Sequence, residues 1–190
     1  MIDTPINTLS DLELVDLVRN ENSRVAFNEI VRRNKSRISY TVFGFLGNSD
    51  DAEDIGQEVF IRFLKNINNF NGMYSLSSYL VKIAVNLSLN ELRRRKIRKF
   101  FSFDKMLEDG IEISSSAKID TINENKMLIQ EALENLSDKH RSVIVLRLID
   151  EYSTEETAQV LDLPVGTVLS RLARAQDKLR DLLKPYRDKK

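Results

Sequence analysis

Apolar residues recur along this chain at spacings of three and four almost throughout, and no run alternates long enough to make a strand. The pattern therefore predicts an all-α protein. A short first helix is predicted over about Asp11 to Arg19, with Leu12, Val15 and Val18 on one side. Ser23 opens a long second helix whose stripe, Phe27, Val31, Ile38, Val42 and Phe45, runs out near Gly47. A third helix is read as capped by Asp50 with Glu53 as capping-box partner, burying Ala52, Ile55, Val59, Phe63 and Ile67. After a loop over 68–75, a fourth runs from about Ser77 to Arg98 with Leu76, Leu80, Ile83 and Leu87 as its apolar row.

Between residues 100 and 123 no stripe can be traced. Asp109-Gly110 is a turn signal and Ser114 to Ser116 a flexible patch, so this stretch reads as a linker between two small helical bundles, 1–99 and 124–190. The second bundle starts with a stripe of Leu128, Ile129, Ala132, Leu133 and Leu136, followed by Val143, Ile144, Leu146 and Leu148. It closes with a helix-turn-helix. Ser153 and Glu156 form a capping box, Ala158 lets a neighbouring helix approach, and Pro164 stops the first helix and suits the first turn of the second. Val168, Leu172, Ala175 and Leu179 bury one face of that last helix. Thr167, Ser170, Arg171, Arg174 and Lys178 are left for the others. Such a second helix fits the DNA major groove, where its early side chains reach base edges.

Composition narrows the options. The 190 residues carry 29 basic and 29 acidic side chains, so zero net charge argues against an indiscriminate polyanion binder. The average hides segregation, with acids gathered at Asp50 to Glu58 and bases at Arg93 to Lys99 and beyond Arg171. There is no cysteine, which excludes disulfides and thiolate sites. No signal peptide and no membrane-length apolar run is visible, and the expectation is a soluble, cytoplasmic protein with no membrane contact. The one histidine, His140, sits at a helix start, no glycine-rich phosphate loop occurs, and no catalytic or metal constellation is found.

Two surfaces remain. Asp51, Asp54 and Glu58 line one face of the third helix. From the residues alone this is equally a docking face for a basic partner and an ordinary solvated face near a helix N-terminus. On the fourth helix Lys82, Asn86, Asn90 and Arg93 share an exposed side, and Arg93 to Lys99 holds more cation than a helix end requires, which points to phosphate. The loop before it offers Phe70, Asn71, Met73 and Tyr74, groups able to stack on or hydrogen-bond an unstacked base; for each aromatic, core packing is the competing reading.

Three stretches carry a resemblance. STEETAQVLDLPVGTVLSRLARAQDKL (153–179) is similar to the promoter-reading helices of bacterial sigma factors of the extracytoplasmic-function group. DDAEDIGQEVFIRFLK (50–65) resembles the helix with which that group grips the β′ clamp helices of core RNA polymerase, and FNGMYSLSSYLVKIAVNLSLNELRRR (70–95) resembles the segment that reads and opens the −10 element. The resemblance implies polymerase contacts at Asp51, Asp54, Gln57 and Glu58, with the β flap meeting the C-terminal domain's apolar groove. It implies −10 contacts at Phe70, Asn71, Met73, Tyr74, Lys82, Asn86, Asn90, Arg93, Arg94 and Arg95, and −35 contacts at Thr167, Leu169, Ser170, Arg171, Ala173 and Arg174. It further implies an alternative sigma factor that needs no cofactor, is monomeric when free, and has an anti-sigma partner in the inactive state.

Some positions depart from the family's habit: Tyr79 stands where tryptophan is frequent, Asn90 where aspartate is, and Leu169 where a base is. Leucine can meet a thymine methyl but cannot hydrogen-bond a base edge. The competing reading of the whole chain is a self-sufficient helix-turn-helix regulator binding an operator as a dimer.

Overall fold

A computed structural model describes residues 5–109 and 121–187, with the side chains of 5–98 and 127–186. Among the described residues every regular element is helical. In chain order they are α1 (Asp11–Glu21), α2 (Arg24–Leu46), α3 (Asp50–Lys65), α4 (Leu76–Asp109), α5 (Thr121–Glu134), α6 (Asp138–Ile144), α7 (Thr154–Leu161) and α8 (Val165–Arg187). One turn of π-helix, Val145–Ile149, continues α6.

The N-terminal module is α1 to α4 around a core of Ile30, Ile38, Val42, Phe45, Val59, Phe63, Leu76 and Leu80. Its first helix is held more firmly than expected, because Ser10 and Glu13 form a complete capping box. Leu12 points outward and Leu14 joins Val15 and Val18 inside instead. The expected Asp50 cap is corrected: the N-cap is Ser49, whose side chain makes no capping bond, and Asp50 is the first residue of α3. Three acids in that first turn, Asp50, Asp51 and Glu53, complement the helix dipole instead. Arg32 and Arg33 clasp Glu29 at 2.7 and 2.8 Å, and their guanidinium groups hold its carboxyl down at about 2.

Helix α4 continues past Arg98 to Asp109, into the stretch where no apolar stripe could be traced. No glycine or proline interrupts its backbone ladder before Gly110.

The C-terminal module has a smaller core of Leu133, Leu136, Val143, Ile144, Ala158, Val168 and Ala175. Ile129 and Leu148, placed in apolar stripes by their spacing, are about half exposed. Arg141 is buried at 4% exposure and donates to the carbonyls of Leu133 (2.6 Å), Glu134 (2.7 Å) and Leu136 (3.1 Å), closing the end of α5. The two cores meet: Val145, Leu146, Tyr152 and Val160 are buried against the N-terminal module.

Candidate polymerase and nucleic-acid interfaces

Helix α3 packs Ala52, Val59, Phe60 and Phe63 inward, which leaves Asp54, Gln57 and Glu58 along its outer side. Asp54 and Gln57 are exposed, while Glu58 accepts a bond from Arg62 Nε at 3.0 Å. Ile61 and Leu64, each 45% exposed, extend the same face by a turn, so the surface is acidic at one end and apolar at the other. Sequence reasoning passed over them because neither lies on the buried row. Their departure from that row was the available signal.

Asp51 is placed differently from its neighbours on this helix. Its Oδ2 accepts from Arg95 Nε (3.1 Å) and Nη2 (2.8 Å), and Arg95 also donates to the Leu46 carbonyl (3.1 Å) and to Ser49 Oγ (2.9 Å). Arg95, expected on the nucleic-acid side, thus pins α4 to the corner between α2 and α3. Arg94 is its exposed neighbour, 3.9 Å from Glu91.

The loop before α4 is rooted by Phe70, which is a correction. Its ring is 5% exposed and packs 5.3 Å from Tyr79, which in turn meets Phe63 edge-on, so Phe70 is an anchor and cannot stack on a base from there. Arg19 donates to the carbonyls of Phe70 (2.7 Å) and Ile67 (3.1 Å) and fixes the loop's base. Gly72 turns it at φ 73°, where a Cβ would meet Leu12 Cδ2 at 2.9 Å. Asn71 Oδ1 accepts the Met73 N–H at 3.1 Å, and Met73 (70%) and Tyr74 (45%) project into solvent.

Along α4, Asn86 and Asn90 are exposed and Lys82 half-buried on one side. Arg93 donates from Nη1 to Asn90 Oδ1 (3.1 Å), and from Nε (2.8 Å) and Nη2 (2.6 Å) to Asp138 of α6. Lys82 Nζ lies 3.7 Å from Asp162, at the end of α7.

The helix-turn-helix follows from local chemistry. Ser153 N–H donates to Glu156 (2.8 Å), and Glu156 N–H donates to Ser153 Oγ (3.1 Å). Asp162 takes the left-handed conformation at φ 56°, and Leu163 N–H reaches back to the Ala158 carbonyl at 2.9 Å, ending α7. The Pro164 carbonyl then accepts the first turn of α8 from Thr167 (2.9 Å). With Val168 and Ala175 buried, α8 leaves Leu169, Ser170, Ala173 and Arg174 exposed and Thr167 and Arg171 partly buried. Burial, then the charges of Lys178, Arg171 and Arg174, push the His140 imidazole below its usual value. Among the described residues no group of three or more His, Cys, Asp or Glu is placed to hold a metal.

Residues 30–97 match the family described as Sigma-70 region 2, and residues 126–179 match Sigma-70, region 4. The chain is 35% identical over 167 residues to the ECF RNA polymerase sigma factor SigW of Bacillus subtilis strain 168, covering 84% of this chain and 89% of that one. The chain belongs to the extracytoplasmic-function RNA polymerase sigma factors. The sigma-E factor of Escherichia coli K12 is 32% identical over 185 residues, covering 93% and 96%. Among solved structures the fold is shared with CnrH in complex with the cytosolic domain of CnrY (TM-score 0.66, 23% identity, 92% of this chain and 97% of that one). It is also shared with the sigma factor RpoE bound to the anti-sigma factor NepR from Bartonella quintana (TM-score 0.58, 24%, 83% and 96%). In this sigma factor the region 2 match takes in the α3 face and the α4 row, and the region 4 match takes in the outward face of α8.

Proposed function

We infer that this sigma factor seats core RNA polymerase at promoters by dividing three tasks among three helical faces. Asp54, Gln57 and Glu58, continued by Ile61 and Leu64, meet the polymerase β′ clamp helices, and the β flap meets the C-terminal module. Asn71, Met73 and Tyr74 with Lys82, Asn86, Asn90, Arg93 and Arg94 hold the opened −10 region. Thr167, Leu169, Ser170, Arg171, Ala173 and Arg174 read the −35 element from the major groove. Asp51 and Arg95 serve by fixing α3 against α4. The modules are taken as 1–99 and 124–190, joined by 100–123.

The observation that carries this reading is the separation of opposite charge on one rigid module, an acidic α3 face and a cationic α4 row. Polymerase supplies bond formation, and this chain supplies position and strand separation in the cytoplasm where polymerase works. An anti-sigma partner that covers the polymerase-facing surfaces fits the same arrangement. Family membership favours it over an operator-binding dimer. Run-off transcription with purified core polymerase tests it: the chain should stimulate initiation from a specific genomic promoter, and Asp54→Arg should abolish that stimulation with helicity intact. Absence of stimulation from every genomic fragment overturns the function. Retained core binding by Asp54→Arg overturns the α3 assignment.

A further inference from the structure

We propose that α8 reads its −35 element chiefly as a row of thymine methyl groups, met in the major groove by Val165, Leu169 and Ala173. This rests on the assignment of α8 to the −35 element. The three residues recur at a spacing of four, so they share one face of the helix and cover roughly 12 Å of its length. Base pairs stack at about 3.4 Å, and the row therefore spans about three to four of them. Val165 is 41% exposed and Leu169 52%, and Ala173 is exposed as well. The core of the C-terminal module lies on another side of α8, behind Val168 and Ala175. Packing thus supplies no reason for aliphatic side chains at these positions.

Hydrogen-bonding capacity beside the row is thin. Val165, Leu169 and Ala173 have no polar side-chain atom, and Ser170 already donates its hydroxyl to the Thr167 carbonyl at 3.1 Å. Ser170 Oγ keeps a lone pair for a base but has no proton to give it. Arg171, partly buried, and Arg174, exposed, supply cationic donors, which suit phosphate or a guanine edge. An A·T pair offers something else. The thymine 5-methyl projects into the major groove, and an aliphatic side chain set against it removes both from water. Cytosine carries only hydrogen at that carbon and leaves a gap. Gly166 and Ser170 keep the adjoining row short, so the helix backbone can come close enough for this contact. A Cβ at Gly166 would meet nothing within 4 Å, so packing within the protein does not require the glycine, whereas close approach to a groove does.

Deoxyuridine in place of thymidine removes the methyl group and leaves every hydrogen-bonding atom of the base pair where it was. The probe is the genomic promoter on which holoenzyme initiates in run-off transcription, synthesised with thymidine or with deoxyuridine over the −35 segment alone. Holoenzyme affinity is the readout. Each contacted methyl that is removed should weaken wild-type binding about fourfold. Leu169→Ala places a strong helix former at an exposed position, so the helix stays intact. It should weaken binding to the thymidine promoter by a similar factor and make one base pair indifferent to the exchange, the coupling that a double-mutant cycle detects. Equal binding of wild-type holoenzyme to the two promoters overturns the methyl reading, as does a −35 segment made only of G·C pairs. Full sensitivity retained by Leu169→Ala overturns it too, because the exchange then acts through groove shape. Replacing the whole −35 segment by an unrelated sequence separates these failures from failure of the underlying assignment: lost affinity keeps α8 as the −35 reader, and unchanged affinity removes it.

Discussion

The N-terminal module buries its side chains along three long helices that enclose Phe45, Phe63, Ile38 and Leu80 completely. The C-terminal module has a core of seven small and medium apolar residues and gives four more, Val145, Leu146, Tyr152 and Val160, to its neighbour. The first stands on packing. The second depends on polar fastenings: the buried Arg141 across three carbonyls, the Ser153–Glu156 capping box, and the Asp162 turn. A groove-reading unit needs an exposed helix with an open outer face, and that leaves little apolar surface for a core of its own.

The sharpest test of this contrast is Phe63→Ala, which should destabilise the N-terminal module by about 3–5 kcal/mol through lost burial and a residual cavity. Denaturant unfolding measures it, and a loss below about 1 kcal/mol would mean the helices collapse onto the void. Arg141→Met comes next. It keeps the bulk but strands the carbonyls of Leu133, Glu134 and Leu136, at about 1–3 kcal/mol. Hydrogen exchange should show the loss in α5 and α6 and leave α2 and α3 protected; equal loss in both modules would show that the two fold as one unit.

The smallest effect concerns the contact between the modules. Neither carboxylate oxygen of Asp150 has a hydrogen bond of ordinary geometry, and the adjacent Thr41 hydroxyl donates to the Arg37 carbonyl at 3.1 Å. Burial pushes the Asp150 carboxyl from 3.8 up to about 6, with Thr41 and the Arg37 charge pulling the other way. A carboxyl raised in the folded state binds its proton more tightly there. Its contribution is therefore full below 3.8 and is lost as pH rises through about 6. Asp150→Asn should match wild-type stability near pH 4 and exceed it above pH 6. A difference that stays flat across that range would place the carboxylate in water.

Local chemistry was legible in the sequence. The helix-turn-helix, its Ser153–Glu156 box and the stripes of α2 and α3 depend on residues three to seven apart, and spacing reports these directly. The same logic assigned the cap of α3 one residue late, because Asp50 and Ser49 both have cap chemistry and only the backbone decides between them. What depended on distant partners could not be read. Phe70 has the composition of a base-stacking residue and becomes an anchor only because Tyr79 and Arg19 meet it. Arg95 belongs to a basic run, yet its partners Leu46, Ser49 and Asp51 lie 44 to 49 positions away. Val145 and Leu146 read as apolar in any register, and nothing in their spacing says which of two cores they enter.

Arg95 has a mechanical consequence. By bonding at once to the last residue of α2, the residue before α3 and an acid in the first turn of α3, it removes slack from the corner where three helices converge. The Arg95 guanidinium thereby braces the short non-helical link that begins at Gly47, so the angle between the two arms is set by side-chain bonds as well as by the backbone.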